Sequence, residues 1–181
     1  PIYSDSGLYL YDFKTLYEIL KRREAAEQKT WLIGVTYALL DFAQQFEITL
    51  QHTQIIETGG MKGKKKEMVR KEIHEFLKKS FHVSEIGSEY GMTELLSQAY
   101  SRGSGIFYCP PWMKVLIREE DDPFTLKTSG TGMLCIIDLA NIFSCSFIAT
   151  EDVGKVYEDG SFEVLGRVDN SEIRGCSLLT L

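Results

Sequence analysis

The spacing of apolar residues divides the chain into a first part with alternating helical and strand-like patterns and a second part with strand-like patterns alone. After Asp12, apolar side chains recur every three or four positions, which predicts an amphipathic helix with Asp12 as its N-cap. Trp31–Val35 is typical of a buried strand, a second helical pattern follows it, and another strand ends at Glu57–Gly60. A third helical pattern covers Lys65–Lys79. This alternation favours βα units.

From residue 106 onward, short apolar runs are separated by turn-forming residues. The predicted strands are Met113–Arg118, Met133–Asp138, Cys145–Ala149 and Phe162–Leu165. Thr128–Gly132 is rich in glycine, but it lacks the lysine and hydroxyl residue that end a phosphate loop, so a hairpin connection is the better interpretation. We therefore predict an α/β fold, with βα units over residues 1–105 and a mainly antiparallel β subdomain over residues 106–181.

The composition excludes several classes of protein. Hydrophobic residues make up 44% of the chain and charged residues 25%, and no apolar run approaches the roughly 20 residues of a membrane span. The net charge of −6 argues against a nucleic-acid partner. The four cysteines show neither zinc-site nor disulfide-framework spacing, so we expect a reduced, cytoplasmic protein. Because the first residue is Pro1 rather than Met, we also expect these residues to belong to a longer chain.

The segment Tyr90–Glu94 is a candidate ligand-binding turn. A strand is predicted at Val83–Gly87, and helical spacing of apolar residues begins at Met92, so Gly91 falls on a strand-to-helix junction. Ligands of α/β sheets collect at the carboxyl ends of the strands, and helix N-termini favour anions. An ordinary capped helix start would produce the same pattern.

The side chains of this turn suit a nucleotide. Thr93 can donate a hydrogen bond to phosphate, Glu94 can hold a hydrated divalent cation, and a base can stack on the ring of Tyr90. Gly59–Gly60 can bring backbone close to a ligand, and the basic run Lys62–Lys66 can attract phosphate. The lysines are better explained as the solvated side of a helix.

An acidic residue and an arginine flank a predicted hairpin in the second part of the chain. Asp152 follows a strand-like run, and Arg167 lies beyond the Asp159–Gly160 turn. A carboxylate can accept hydrogen bonds from both hydroxyls of a ribose, and a guanidinium offers a fork of donors to sugar or phosphate oxygens. Taken singly, Asp152 is more often a surface turn residue and Arg167 a salt-bridge partner.

In this order and spacing, these motifs resemble the adenylate-forming (acyl-activating) enzyme superfamily. Segments that look like the LuxE-type acyl-protein synthetases are Thr58–Lys62, Cys109–Trp112 with the Ile-Arg strand after it, and Arg174–Ser177. The resemblance covers the chain from about Trp31 onward. It implies that the fold is the C-terminal part of the large domain of such an enzyme.

The resemblance also implies an activity. A carboxylic acid, most simply a fatty acid, is activated with ATP and Mg²⁺ as an acyl-adenylate, and the acyl group then passes to a protein thiol. An acyl-accepting reductase or carrier protein is an implied partner. The implied site residues are Thr93 for phosphate, Glu94 for Mg²⁺, Asp152 and Arg167 for ribose, and Tyr90, Gly91, Gly59 and Gly60 for AMP and its adenine.

Cys176 is the acyl acceptor that the resemblance to LuxE-type proteins implies. A thiolate is a strong nucleophile once its pKa is lowered, and Arg174 is close enough in sequence to favour an anion. Cys135 and Cys145 lie in apolar strand-like stretches, and we expect them in the core. The alternative is that Cys176 is a small buried hydrophobic residue.

The sequence departs from the superfamily in ways that leave other functions open. The early phosphate loop rich in Ser, Thr and Gly is absent, so we expect the 181 residues alone to be inactive. The usual Thr-Gly-Asp is here Thr150-Glu151-Asp152. An acyl- or aryl-CoA ligase would use the same nucleotide residues with a diffusible thiol, and a non-catalytic module would bind nucleotide without turnover.

Overall fold

The computed structural model describes residues 12–59, 70–119, 122 and 124–167. The helices in this part of the chain are α1 (Phe13–Ala25), α2 (Thr36–Gln45) and α3 (Arg70–Phe81), together with a 3-10 helix at Leu139–Asn141. The strands are β1 (Thr30–Val35), β2 (Thr53–Thr58), β3 (Gly87–Tyr90), β4 (Ala99–Ser101), β5 (Ile106–Phe107), β6 (Met113–Arg118), β7 (Leu126–Lys127), β8 (Gly130–Asp138), β9 (Phe147–Val156) and β10 (Phe162–Arg167).

The first sheet contains the βα units that the apolar spacing predicts. Its strand order is β1-β2-β3-β4, with β1, β2 and β3 parallel and β4 antiparallel to β3. Asp12 caps α1 as predicted, since its carboxylate accepts a hydrogen bond from the amide of Thr15 at 3.1 Å. Both α2 and α3 follow their predicted patterns, although the start predicted for the third helix at Lys65 lies outside the described residues.

The three α-helices of the described residues contribute to one hydrophobic core against this sheet. Leu20 of α1, Phe42 of α2 and Leu77 of α3 are each no more than 2% exposed, and they share the core with Leu32 and Ile55 of the strands. The prediction that the whole of β1 is buried was wrong. Trp31 and Ile33, which alternate with Leu32, are 66% and 50% exposed because side chains of a strand point to opposite faces.

The second sheet is antiparallel throughout, as predicted, with the strand order β5-β10-β9-β8-β6-β7. The strand predicted at Met113–Arg118 coincides with β6, whereas β8, β9 and β10 each extend beyond the predicted run. The hairpin predicted around Thr128–Gly132 was wrong, because β7 and β8 lie on opposite sides of β6 instead of pairing with each other. Cys145 was also placed wrongly, since it precedes β9 and is exposed.

The segment after β3 joins the first sheet to the core of the second. Leu95 and Ala99 are buried with Phe107, Leu134 and Phe162 in a second hydrophobic core. The change from one sheet to the other occurs between β4 and β5, close to the predicted division at residue 105, which stays a prediction about domain organisation. The described helices include none that is long and apolar enough to cross a membrane.

Candidate functional site

The carboxyl ends of β2 and β3 form one edge of the first sheet. Thr58, the last residue of β2, donates a hydrogen bond to Glu89 of β3 at 2.9 Å, and the hydroxyl of Tyr100 donates to the other oxygen of Glu89 at 2.9 Å. Gly59 follows at a φ of 74°, a conformation that favours glycine and turns the chain away from the strand. The predicted partner Gly60 lies outside the described residues. This edge is where α/β sheets bind ligands.

The predicted helix after Tyr90 was wrong, and the predicted strand before it is shifted. The strand begins at Gly87, and a β-turn follows in which the amide of Leu95 donates to the carbonyl of Met92 at 3.1 Å. The amides of Leu96 and Ser97 donate to a side chain of the second sheet, so they cannot make helical hydrogen bonds. Thr93 and Glu94 are therefore the central residues of a turn, and no helix N-terminus contributes to the site.

Tyr90, Asp152 and Arg167 meet where the two sheets adjoin. The hydroxyl of Tyr90 donates to Asp152 Oδ2 at 2.7 Å, and Arg167 Nε lies 3.5 Å from Asp152 Oδ1. Asp152 and Arg167 face each other across β9 and β10, next to a bulge between Val164 and Gly166. Three residues that the sequence analysis selected from distant parts of the chain are thus in direct contact.

Tyr90 connects this cluster to the second core. Its ring lies edge-on to Phe162, with the centroids 5.3 Å apart, and 6.0 Å from the ring of Phe107. Burial raises the pKa of Tyr90, and the neighbouring Asp152 carboxylate raises it further, so the hydroxyl stays protonated and keeps donating. The stacking of a base on this ring stays a prediction.

Asp152 and Arg167 remain accessible after making these contacts. The side chain of Asp152 is 16% exposed and that of Arg167 is 46% exposed. A carboxylate has about four acceptor positions, so Asp152 can accept from a ligand hydroxyl while it still accepts from Tyr90. The amide of Asp152 donates to the hydroxyl of Thr150, which itself donates to the carbonyl of Leu134. The buried Thr150 therefore orients the strand that carries the carboxylate.

Glu94 suits a metal ion that is coordinated mainly by the phosphates of a bound molecule and by water. Thr93 and Glu94 are exposed at the tip of the turn. In the part of the chain that the structure describes, no group of three or more His, Cys, Asp or Glu side chains is placed to hold a metal ion. Mg²⁺ commonly binds through one or two carboxylates and takes its other positions from phosphates and water. A single carboxylate on an exposed turn fits that mode.

Sequence reasoning missed a buried charge network behind the edge formed by β2 and β3. Glu57 is 6% exposed and accepts from the Thr36 hydroxyl at 2.6 Å, while Arg70 and His74 lie 3.8 and 3.7 Å away. The His74 ring also makes a hydrogen bond of 3.2 Å with Ser88. Burial opposes ionisation of Glu57, yet the nearby polar groups of His74, Thr36 and Ser88 and the charge of Arg70 together hold its pKa below the usual range. A carboxylate directly after the apolar residues Ile55 and Ile56 is the signal that marks it.

Two further residues that were missed are Asp138, which contacts Leu96 and Ser97 directly after the turn of Thr93 and Glu94, and Asn141, which contacts the backbone of Glu94. Both are buried, and both follow the apolar residues of β8. A polar pair after a strand is too common to identify this role without the three-dimensional contacts.

The proposed acceptor Cys176 and its neighbour Arg174 lie outside the described residues. Of the cysteines that the structure describes, Cys109 is half-buried, and burial raises the pKa of its thiol to about 11. Burial also raises the pKa of Cys135. Neither thiol is activated as a nucleophile.

Solved structures with the same fold include a ligase and a coenzyme A synthetase. ATP-bound MatB from Rhodopseudomonas palustris is 18% identical, with 88% of this chain and 34% of MatB covered at a TM-score of 0.61. Coronafacic acid ligase from Pectobacterium brasiliense is also 18% identical, with 88% and 33% covered and a TM-score of 0.62. O-succinylbenzoate coenzyme A synthetase (MenE) from Bacillus subtilis, in complex with ATP and magnesium ion, is 18% identical, with 88% and 36% covered and a TM-score of 0.58.

The chain thus spans about a third of the length of these structures. They establish a mixed α/β fold that matches one region of these larger structures. No match was found among curated proteins. The family described as "Acyl-protein synthetase, LuxE" matches residues 2–180. The chain is therefore a member of the LuxE acyl-protein synthetase family.

Proposed function

We propose that this chain carries the ribose and metal subsites of an enzyme that activates a fatty acid with ATP and transfers the acyl group to a protein thiol. The observation that carries the proposal is the contact of Tyr90, Asp152 and Arg167 beside the exposed turn of Thr93 and Glu94. Asp152 accepts hydrogen bonds from the ribose hydroxyls, and Arg167 donates to sugar or phosphate oxygens. Thr93 donates to the α-phosphate, and Gly59, Gly60 and Gly91 adjoin the adenine.

The first reaction step joins the acid to the nucleotide. A carboxylate oxygen of the acid attacks the α-phosphorus of ATP, the bond from that phosphorus to the bridging oxygen breaks, and pyrophosphate leaves. Developing negative charge on the phosphates is the main barrier, so a positioned hydroxyl, guanidinium and Mg²⁺ lower it. Glu94 is the residue of this chain that would hold the metal, which supplies charge neutralisation when bound.

In the second step, a thiolate attacks the acyl carbon, the bond to the phosphate oxygen breaks, and AMP leaves. We propose Cys176 as this thiol, with its proton released to solvent and an acyl-accepting reductase or carrier protein as the next acceptor. A reactive free thiol requires a reducing compartment, which supports a cytoplasmic location.

Exchange of pyrophosphate into ATP tests the first step. The assay uses the full-length product of the reading frame that contains these residues, Mg²⁺ and a panel of carboxylic acids of increasing chain length. We expect exchange that depends on the acid and is strongest with fatty acids. Nucleotide binding without exchange for any acid would instead indicate a non-catalytic module.

Acyl transfer is tested by mass spectrometry after incubation with ATP, Mg²⁺ and a fatty acid. We expect one added acyl mass that is labile to hydroxylamine and maps to the peptide containing Cys176. The matched variants are Cys176→Ser, which should remain unmodified, and Cys109→Ser, which should be acylated like the wild type. Thioester formation by Cys176→Ser at the wild-type rate would exclude Cys176.

The alternative is an acyl- or aryl-CoA ligase. It is favoured by the similarity in fold to the O-succinylbenzoate coenzyme A synthetase of Bacillus subtilis. The two candidates differ in the acceptor, so thioester formation on added CoA without acylation of the protein would support the ligase.

A further inference from the structure

A buried carboxylate at the end of β8 holds the segment that follows β3. Asp138 is fully buried, and its Oδ2 accepts hydrogen bonds from the amides of Leu96 at 2.9 Å and Ser97 at 2.8 Å. Its Oδ1 accepts from the Ser97 hydroxyl at 2.7 Å and from the amide of Ala140 at 3.1 Å. Four donors therefore converge on one side chain, and three of them belong to Leu96 and Ser97.

Asn141 holds the same segment from a second direction. Its side-chain amide donates to the backbone carbonyl of Glu94 at 2.7 Å and to that of Cys145 at 2.9 Å. Asn141 is 5% exposed, so these hydrogen bonds are shielded from water. The backbone at Glu94 is thereby linked to the loop between β8 and β9.

The donors around Asp138 require an ionised carboxylate. Burial is the largest influence on this group and disfavours its charge, but the hydrogen bonds from Ser97, Leu96 and Ala140 hold the pKa of Asp138 below its usual range. An asparagine would turn an N–H group toward these donors and could not satisfy them. Burying this charge is costly without such partners. The buried carboxylate of Asp138 therefore favours the backbone conformation that places the amides of Leu96 and Ser97 next to it.

The fixed backbone presents Thr93 and Glu94 outward. Leu95 is 4% exposed and anchors the turn in the second core, whereas the side chains of Thr93 and Glu94 are exposed. A binding group that is ordered before its ligand arrives avoids paying the ordering entropy during binding. The contacts of Asp138 and Asn141 supply this order from outside the turn.

We propose that Asp138 and Asn141 are positioning residues that hold the Thr93–Glu94 turn in the conformation that receives the metal and phosphate of the nucleotide. The role of Thr93 and Glu94 in this statement rests on the proposed function. Asp138 and Asn141 act through the backbone and touch neither ligand. They extend the site by a layer of residues from the second sheet.

Hydrogen–deuterium exchange of the ligand-free, full-length protein tests the positioning itself. The key variant is Asn141→Asp, which keeps the shape of the side chain but turns an acceptor toward two carbonyl groups. We expect faster exchange in the peptide covering residues 92–97 and unchanged exchange in peptides of β6. Asp138→Asn should give a larger effect in the same peptide if that variant folds.

The consequence for the metal is measured by titrating Mg²⁺ in the pyrophosphate exchange assay. We expect Asn141→Asp to raise the Mg²⁺ concentration needed for half-maximal rate by roughly 10-fold or more, the scale on which outer-shell partners affect metal sites. Asn141→Ala, which loses the donor without adding repulsion, should give a smaller shift in the same direction. The KM for the carboxylic acid should change little.

The control variant is Ile136→Ala, which removes a buried apolar side chain from the same strand and makes no hydrogen bond to the turn. It should lower general stability while leaving the Mg²⁺ requirement unchanged. The inference would be overturned if Asn141→Asp showed the wild-type rate of deuterium exchange in residues 92–97 and the wild-type Mg²⁺ requirement. It would also be overturned if deuterium exchange were accelerated throughout the protein. If the wild-type protein fails to exchange pyrophosphate, the proposed function is wrong, while the deuterium result still decides whether Asn141 orders the turn.

Discussion

The carboxylate of Asp152 contacts Tyr90 and Arg167 before any ligand binds, so its replacement has a structural and a binding consequence. For Asp152→Ala in the full-length protein, we expect ATP affinity to fall by about 1–3 kcal/mol, the range for hydrogen bonds to charged groups. Titration calorimetry measures the affinity. Tyr90→Phe is the matched control, because it removes one donor to Asp152 but leaves the carboxylate and the ring contacts in place.

Tyr90→Phe should therefore lose less affinity than Asp152→Ala. Circular dichroism establishes that both variants are folded. Unchanged ATP affinity in folded Asp152→Ala would remove the ribose assignment.

Glu94 gives a second prediction for a single residue. Glu94→Gln keeps the size of the side chain but loses the charge that favours a hard cation, so we expect a higher Mg²⁺ requirement in pyrophosphate exchange. Glu151→Gln removes an exposed carboxylate next to Asp152 and should leave the requirement unchanged. If both variants raised the Mg²⁺ requirement equally, the cause would be the loss of one negative charge near the site and not the loss of a metal ligand.

At the scale of single elements, strand β9 is packed closely against its neighbours β8 and β10 at Gly154. A Cβ atom on Gly154 would lie 2.4 Å from the carbonyl oxygen of Glu163 and 2.7 Å from Leu134, whereas one on Gly166 would meet nothing within 4 Å. We expect Gly154→Ala to lower the free energy of unfolding by about 1–3 kcal/mol, as overpacking does, and Gly166→Ala to change it little. Urea denaturation of the full-length variants compares them, and equal stabilities would contradict the close approach.

Near the carboxyl end of β2, Glu57 makes a contribution to the free energy of unfolding that depends on pH. Because the pKa of Glu57 is lowered by folding, its contribution is present above the unfolded value near 4.5 and is lost as the pH falls through the folded value. We expect Glu57→Gln to lower the free energy of unfolding at pH 7 by about 1.5–3 kcal/mol. The difference from the wild type should shrink below pH 4.5.

Chemical denaturation across this pH range measures that difference. The matched variant is Glu75→Gln, which changes an exposed carboxylate on α3 and should have little effect at any pH. A deficit for Glu57→Gln that persists unchanged at low pH would show that ionisation of Glu57 is not its cause.

Elements with a strong apolar period were predictable from the sequence, and those set by tertiary hydrogen bonds were not. The spacing predicted α1, α2 and β6 well because burial of one face determines them. A helix after Tyr90 was predicted from the spacing of apolar residues, but these residues lie in a turn and an extended segment. Asp138 accepts hydrogen bonds from the amides of Leu96 and Ser97, which a helix would need for its own hydrogen bonds. Side-chain contacts from another sheet are invisible in a local pattern.

The contact between Asp152 and Arg167 shows the same limit within the candidate site. Counting back from the turn of a regular hairpin places Asp152 opposite Gly166 and Arg167 opposite Glu151. The bulge after Val164 inserts one residue and brings Arg167 opposite Asp152 instead. The sequence motifs could identify these residues through family resemblance, but not the register that joins them.

For the whole molecule, the chain matches only about a third of the length of the solved structures. We expect the 181 residues alone to show little or no acid-dependent pyrophosphate exchange, because the proposed subsites bind ribose, α-phosphate and metal without the phosphate loop of the superfamily. The assay is run side by side with the full-length product. Robust turnover by the 181 residues would mean that the chain contains all the groups that the reaction needs.

Trp112 gives the molecule an optical reporter close to the candidate site. Its indole N–H donates to the Ser97 hydroxyl at 2.9 Å, and Ser97 donates in turn to Asp138. The other tryptophan, Trp31, lies on the first sheet and is 66% exposed. In a Trp31→Phe background, the emission of Trp112 should therefore change when Mg²⁺ and nucleotide bind next to the turn, so that binding is followed by fluorescence without any attached dye.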